Sequence, residues 1–271
     1  MVRSCITKRW SRLAIASCGM VGLLAASCST FSLSTMSIEL RESGFREWHD
    51  LVDGEPGVGV ETDRIDECLS HYHRHGCRGL FGHPSFGFTQ DNLDFLARAT
   101  NAKWLWFWDI SLRNVDPIYE LNGLEYLGIH PKRPGIDFSR LQLLRTVINH
   151  WIKADRGISA STITQYHLWH YKPTSKSFEG LEIPAGVQTL ELYWANPVTL
   201  AGLPVMKKLK VLQIHRCRNL QDLSELPRIA PNLRELLTTT SSKIDATEGV
   251  LDHPKLATAL IDGKFVVGSG G

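Results

Sequence analysis

The chain has 271 residues, 43% of them hydrophobic and 21% charged, an ordinary globular composition that excludes both a disordered chain and a bundle of membrane helices. Its formal net charge is +2, and four of the basic residues, Arg3, Lys8, Arg9 and Arg12, stand near the start without an acid among them. The remainder is near neutral and carries no long run of lysine and arginine, so the sequence offers no nucleic-acid footprint.

The first element is a basic segment, "MVRSCITKRWSR", followed by the apolar run "LAIASCGMVGLLAAS" and Cys28. That is the order of a secretory signal peptide, and the run is too short to span a bilayer well. Leu24-Ala25-Ala26-Ser27-Cys28 resembles a bacterial lipobox, with Ala25 where leucine is preferred. The resemblance implies removal of residues 1–27, lipidation of Cys28, a polar tether over 28–43, and a protein anchored to a membrane of the cell envelope. The alternative is translation from Met36 and a cytoplasmic product. Beyond Cys28 only Cys68, Cys77 and Cys217 remain, an odd number that defines no disulfide framework and leaves a Cys68–Cys77 bridge open.

Residues 44–76 read as an N-terminal helical cap. Within them "TDRIDECLSHYHRHG" offers Thr62 or Asp63 as a cap, apolar Ile65 and Leu69, and a terminal Gly76, so a helix is predicted there. Cys68, His71 and His75 share one face of that helix, with His73 and Cys77 close by, but the spacing is not a zinc-finger pattern and no metal ligand is assigned. "GEPGVGVE" at 54–61 lacks the lysine of a phosphate loop and reads as a plain loop. A second helix is predicted over "TQDNLDFLARAT", starting at Thr89.

From residue 77 the chain repeats itself. Units begin at Cys77, Ala102, Leu124, Leu144, Ile163, Val187, Leu209, Leu233 and Leu256, at intervals of 19 to 25 residues, with apolar residues at relative positions 1, 4 and usually 6. The clearest copy, "LKVLQIHRCRNLQDLSEL", places Leu209, Leu212, Ile214, Cys217, Leu220 and Leu223 in the pattern of the leucine-rich repeat, and the segment 77–262 resembles that family in its bacterial form. Early copies are degenerate: Gly82, Asn149 and Thr238 occupy position 6, where leucine belongs.

The resemblance implies an α/β leucine-rich-repeat solenoid over 77–271. One parallel β-sheet lines the concave face, the convex segments are short or irregular, and the helical cap closes the N-terminal end. A single repeat cannot bury its own apolar side, so neighbours stack into a shared core. Positions 4 and 6 point inward, and positions 3, 5 and 7 point onto the concave face. Position 7 then reads His83, Trp108, His130, His150, Trp169, Tyr193 and His215 in consecutive units. Trp104, Trp106, Tyr126 and His167 stand in the adjoining columns.

Such a stripe, if open to solvent, is a recognition surface, because aromatics bring large contact area at low entropic cost. The expectation is a non-enzymatic protein-binding module whose partner-binding residues are Trp104, Trp106, Trp108, Tyr126, His130, His150, His167, Trp169, Tyr193 and His215. The partner is another protein, and a toxin neutralised by an envelope immunity lipoprotein is the specific version. No cofactor and no catalytic residue is assigned. A cover from the same chain, or rings stacked only to stabilise the sheet, are the structural alternatives for the stripe. A metal-dependent hydrolase using the histidines, or an envelope scaffold or adhesin, are the functional ones.

Overall fold

The computed structural model describes residues 38–49, 54–241, 243–245 and 248–267. Residues 1–37, with the segment expected to be a signal peptide and Cys28, lie outside them. The architecture is a single 13-stranded sheet in which every strand pairs with its sequence neighbours. In chain order the strands are β1 (Ile38–Leu40), β2 (Arg46–Trp48), β3 (Gly57–Gly59), β4 (Gly79–Gly82), β5 (Trp104–Phe107), β6 (Tyr126–Ile129) and β7 (Thr146–His150). They continue as β8 (Gln165–Trp169), β9 (Thr189–Tyr193), β10 (Val211–His215), β11 (Glu235–Thr239), β12 (Thr258–Ile261) and β13 (Lys264–Val267). From β3 to β12 all pairings are parallel, while antiparallel strands close both ends. Nearest-neighbour parallel pairing with a short return between strands is consistent with a solenoid.

The N-terminal region differs from a helical cap with a tether before it. Ile38–Leu40 pairs with Arg46–Trp48, so the last part of the expected tether is sheet. Gly57–Gly59 pairs in parallel with Gly79–Gly82, so the repeat begins one strand before residue 77. The helix expected after Thr62 is present as α1 (Ile65–Arg74) and buries Cys68, Leu69, His71 and Tyr72. "GVG" within 54–61 is a strand because its glycines are buried under neighbouring rings, a packing reason that no turn rule anticipates. The helix expected from Thr89 shrinks to a 3₁₀ turn over Asp94–Arg98, and its first N–H is bound by the Asn92 side chain. At the other end, Asp262 and Gly263 adopt left-handed backbone and turn β12 back into β13.

The core lies between the sheet and the return segments. Position 4 of each strand contributes Leu80, Leu105, Leu127, Val147, Tyr166, Leu190, Leu212 and Leu236, all buried. The returns repeat a device of their own. Asn92, Asn114, Asp137, Ser177, Thr199 and Asp222 each accept the backbone N–H two residues on. The residue between is Leu93, Val115, Phe138, Phe178, Leu200 or Leu223, always buried. A short polar side chain thus turns the chain while the next residue drops into the core. Further parallel bridges link Asp137 to Arg156, Thr199 to Asp222, and Asp222 to Asp245.

Degenerate positions are filled by neighbours. Gly82 gives way to the rings of Phe107 and Phe88, which stand within 2.8 Å of where its Cβ would be. Asn149, fully buried, accepts from Arg133 Nη2 at 2.9 Å and donates to Asp155 Oδ2 at 3.1 Å and to Tyr166 Oη at 3.3 Å. Arg133 in turn pairs with Asp155 at 2.6 Å, with both side chains buried. Position 6 of these units is therefore occupied by a ring or a buried polar network in place of leucine, with Arg133 Nε left without a partner among the described residues.

Cys68, Cys77 and Cys217 are free and buried, so no bridge joins Cys68 to Cys77. Burial pushes the Cys77 thiol up to about 11 and the Cys217 thiol up to about 12. Cys217 Sγ lies 3.6 Å from the Leu192 carbonyl and 3.5 Å from that of His215, filling the turn after β10.

Candidate functional site: an aromatic face and its rim

On the sheet face opposite the core, β5 carries Trp104 and Trp106, and Trp108 follows at its end. The pairing register sets His150, Trp169, Tyr193 and His215 side by side, with Trp108 and His130 continuing the column. Ring contacts run along it: Trp108–Trp169 at 5.3 Å, Trp169–Tyr193 at 4.8 Å and Tyr193–His215 at 4.6 Å.

This face is not an open stripe. Trp104, Trp106, Trp108, Tyr126, His167, Trp169, Tyr193 and His215 are all buried, with Trp104 fully so and Trp108 only 7% exposed. The tryptophans and tyrosines among them form a second apolar cluster with Phe81, Ile148 and Trp48. The physical reason is mutual cover. Rings wider than the strand spacing lie across their neighbours, and β2 brings Trp48 edge-on over Phe81, Trp104 and Trp106 at centroid distances of 5.6 to 5.9 Å. Glycines make room for this: a Cβ on Gly128 would meet Trp106 at 2.4 Å, and one on Gly57 would meet Trp104 at 2.1 Å. The expectation of ten exposed contact residues is thus corrected, and only His130 and His150 among them remain half-buried.

A buried polar group sits within the cluster. Glu191 lies 2.7 Å from His167 Nδ1 and accepts from Tyr193 Oη at 2.9 Å. Burial works to raise the Glu191 carboxyl, but the charge and hydrogen bond of His167 outweigh it and hold the group below its ordinary value. Three further polar atoms of the cluster, Trp48 Nε1, Tyr126 Oη and Trp169 Nε1, are buried without a partner among the described residues.

What does face solvent is the rim where the strands end. Asp109, His170, Trp194, Arg216 and Thr240, the residues just past the face, all adopt left-handed backbone at φ between 51° and 56°. For L residues that conformation costs roughly 1–2 kcal/mol each relative to a right-handed one. The turns are held in register: His170 N–H donates to the Tyr193 carbonyl, Trp194 N–H to that of His215, and Arg216 N–H to that of Thr239. Their side chains stack in the same order. His150 and His170 lie 4.6 Å apart, and the Arg216 guanidinium stands 5.2 Å over the Trp194 ring.

These imidazoles are kept neutral. Burial pushes His150 down to about 3, helped by the neighbouring His170, His130, Arg133 and Lys172. Burial also lowers His130, His170 and His83, with Asp109 opposing it at His130 and His83. Sequence reasoning found His130 and His150, and Arg216 as a residue of a neighbouring column, but assigned no role to His170 and Trp194. The signal is an aromatic or basic residue at position 8 of consecutive units, the last residue of "ITQYHLWH", "VQTLELYW" and "LKVLQIHR".

No group of three histidine, cysteine or acidic residues is placed to hold a metal among the described residues. In the α1 cluster, His71 Nε2 is taken by Glu47 at 2.8 Å, and His73 Nε2 lies 2.8 Å from the Arg98 carbonyl. No helix among the described residues is long and apolar enough to cross a membrane. Comparison with protein-family models, with curated proteins and with solved structures returned no match.

Proposed function

We propose that the chain is a leucine-rich-repeat type of solenoid acting as a non-enzymatic protein-binding module, with the rim formed by His130, His150, His170, Trp194 and Arg216 as its contact surface. The aromatic face beneath is then the spine that fixes the rim. The observation that carries this reading is the row of non-glycine residues in left-handed backbone, whose rings stack in register and stay partly open to solvent. Backbone strain of this kind concentrates at binding and switch sites, because a glycine would satisfy the turn at less cost. On the sequence of residues 1–28, the same proposal puts the module at the cell envelope on a lipidated Cys28.

The test is affinity capture from the native cell with the full chain and with its His170→Gly/Trp194→Gly variant. Glycine suits both turns, which offsets part of the ring packing that the variant removes, and with folding verified by circular dichroism the expected result is loss of a defined protein partner. Equal capture by both chains, or no partner for either, overturns the reading.

A further inference from the structure

The rim carries a charge pattern that the whole-chain composition hides. The segments that end β6 to β10 read "HPKRP", "HWIKADR", "HYKPTSK", "YWANP" and "HRCRN". Lys132, Lys153, Lys172, Arg216 and Arg218 in these segments are exposed. None of the five forms an ion pair among the described residues. The single carboxylate in the five segments, Asp155, is spent on the buried Arg133. Lys172 stands close enough to act on both His150 and His170, and Lys132 on His130, so these two bases lie beside the rings. Asp109, at the end of β5, bounds the patch beside His83 and His130. Five parallel strands set the patch at about 19 Å across.

We infer that this rim docks an acidic polypeptide segment of the partner protein, whose carboxylates meet Lys132, Lys153, Lys172, Arg216 and Arg218 over the edges of the stacked His170 and Trp194 rings. The inference rests on the protein-binding reading and adds the chemistry of the partner. The state of the ring faces selects a polypeptide over a nucleic acid. Single-stranded nucleic acid needs open aromatic faces on which bases stack. Here the faces are filled: His170 lies against His150 on one side and Trp194 on the other, and Trp194 is covered by Arg216. What remains toward solvent is ring edges and unpaired bases, which suit carboxylates as hydrogen-bond acceptors.

The probes are a fluorescently labelled oligoglutamate peptide and an oligouridylate of equal charge, titrated with the full chain and read by anisotropy at rising salt. The expected result is peptide binding that weakens with salt and falls about tenfold or more in Lys153→Glu/Lys172→Glu. The control Lys207→Glu/Lys208→Glu, a charge change of the same size on a return segment, leaves the affinity unchanged. Circular dichroism melts confirm that both variants fold. The inference is overturned if the peptide does not bind, if the control weakens it equally, or if the oligouridylate binds more tightly. A captured partner that survives Lys153→Glu/Lys172→Glu but is lost with His170→Gly/Trp194→Gly overturns the acidic segment alone and leaves the binding reading standing.

Discussion

The indole of Trp104 lies where Gly79 would carry a side chain: a Cβ built there meets Trp104 Cε2 at 1.7 Å. The two residues are Cα partners on β4 and β5, so the ring folds back over its own neighbour and seals the face. Gly79→Ala is therefore an overpacking change, expected to cost about 1–3 kcal/mol in urea unfolding, although alanine is otherwise the better strand residue. A loss near zero would mean that the ring does not rest on the strand.

Trp48 makes the complementary prediction for the cover. It is 1% exposed and touches Phe81, Trp104 and Trp106 from a hairpin that contributes little else to the face. Trp48→Ala is expected to cost about 3–5 kcal/mol and to raise tryptophan accessibility to acrylamide quenching, because three rings lose their lid together. Unchanged quenching would show that the face is sealed without β2.

Much of this fold is legible in the sequence, and the reasons differ by element. Apolar positions 4 and 6 recur because every strand faces the same core, so Leu190 with Leu192 and Leu212 with Ile214 announce the sheet and its register. The column from Trp108 to His215 follows from that register alone. Its burial does not, since alternation shows which side of a strand a ring is on and not whether neighbouring rings cover it. Gly57 reads as a loop residue because its role is to be lain upon by Trp104, a residue remote in the chain. The left-handed turns at His170 and Trp194 were illegible for a related reason: these residues are poor left-handed formers, and stacking holds them there against their propensity.

Acid sensitivity follows from the neutral histidines. His150 titrates at about 3 and His215 at about 4 in the folded chain, both lowered chiefly by burial, while an unfolded histidine titrates near 6.5. Between these values the unfolded chain binds protons that the folded chain refuses, so stability falls as pH drops below about 6.5. The lowered Glu191 acts in a lower window, beneath its ordinary carboxyl range. The urea midpoint is accordingly expected to decline from pH 7 to pH 5, and His150→Gln and His215→Gln each flatten that decline. An equal slope in both variants would assign it to other groups.

The pair His167 and Glu191 tests what the buried polar group contributes. Both side chains are under a tenth exposed, and Glu191 also accepts a hydrogen bond from the Tyr193 hydroxyl. Glu191→Leu alone leaves an imidazole and a phenol without their acceptor in an apolar cluster, and the expected loss is about 3–5 kcal/mol. His167→Leu/Glu191→Leu removes both desolvated partners, so it recovers part of that loss even though one more residue has changed. Additive losses in the double-mutant cycle would mean that the two side chains do not act as a pair, and the face would then owe its order to ring packing alone.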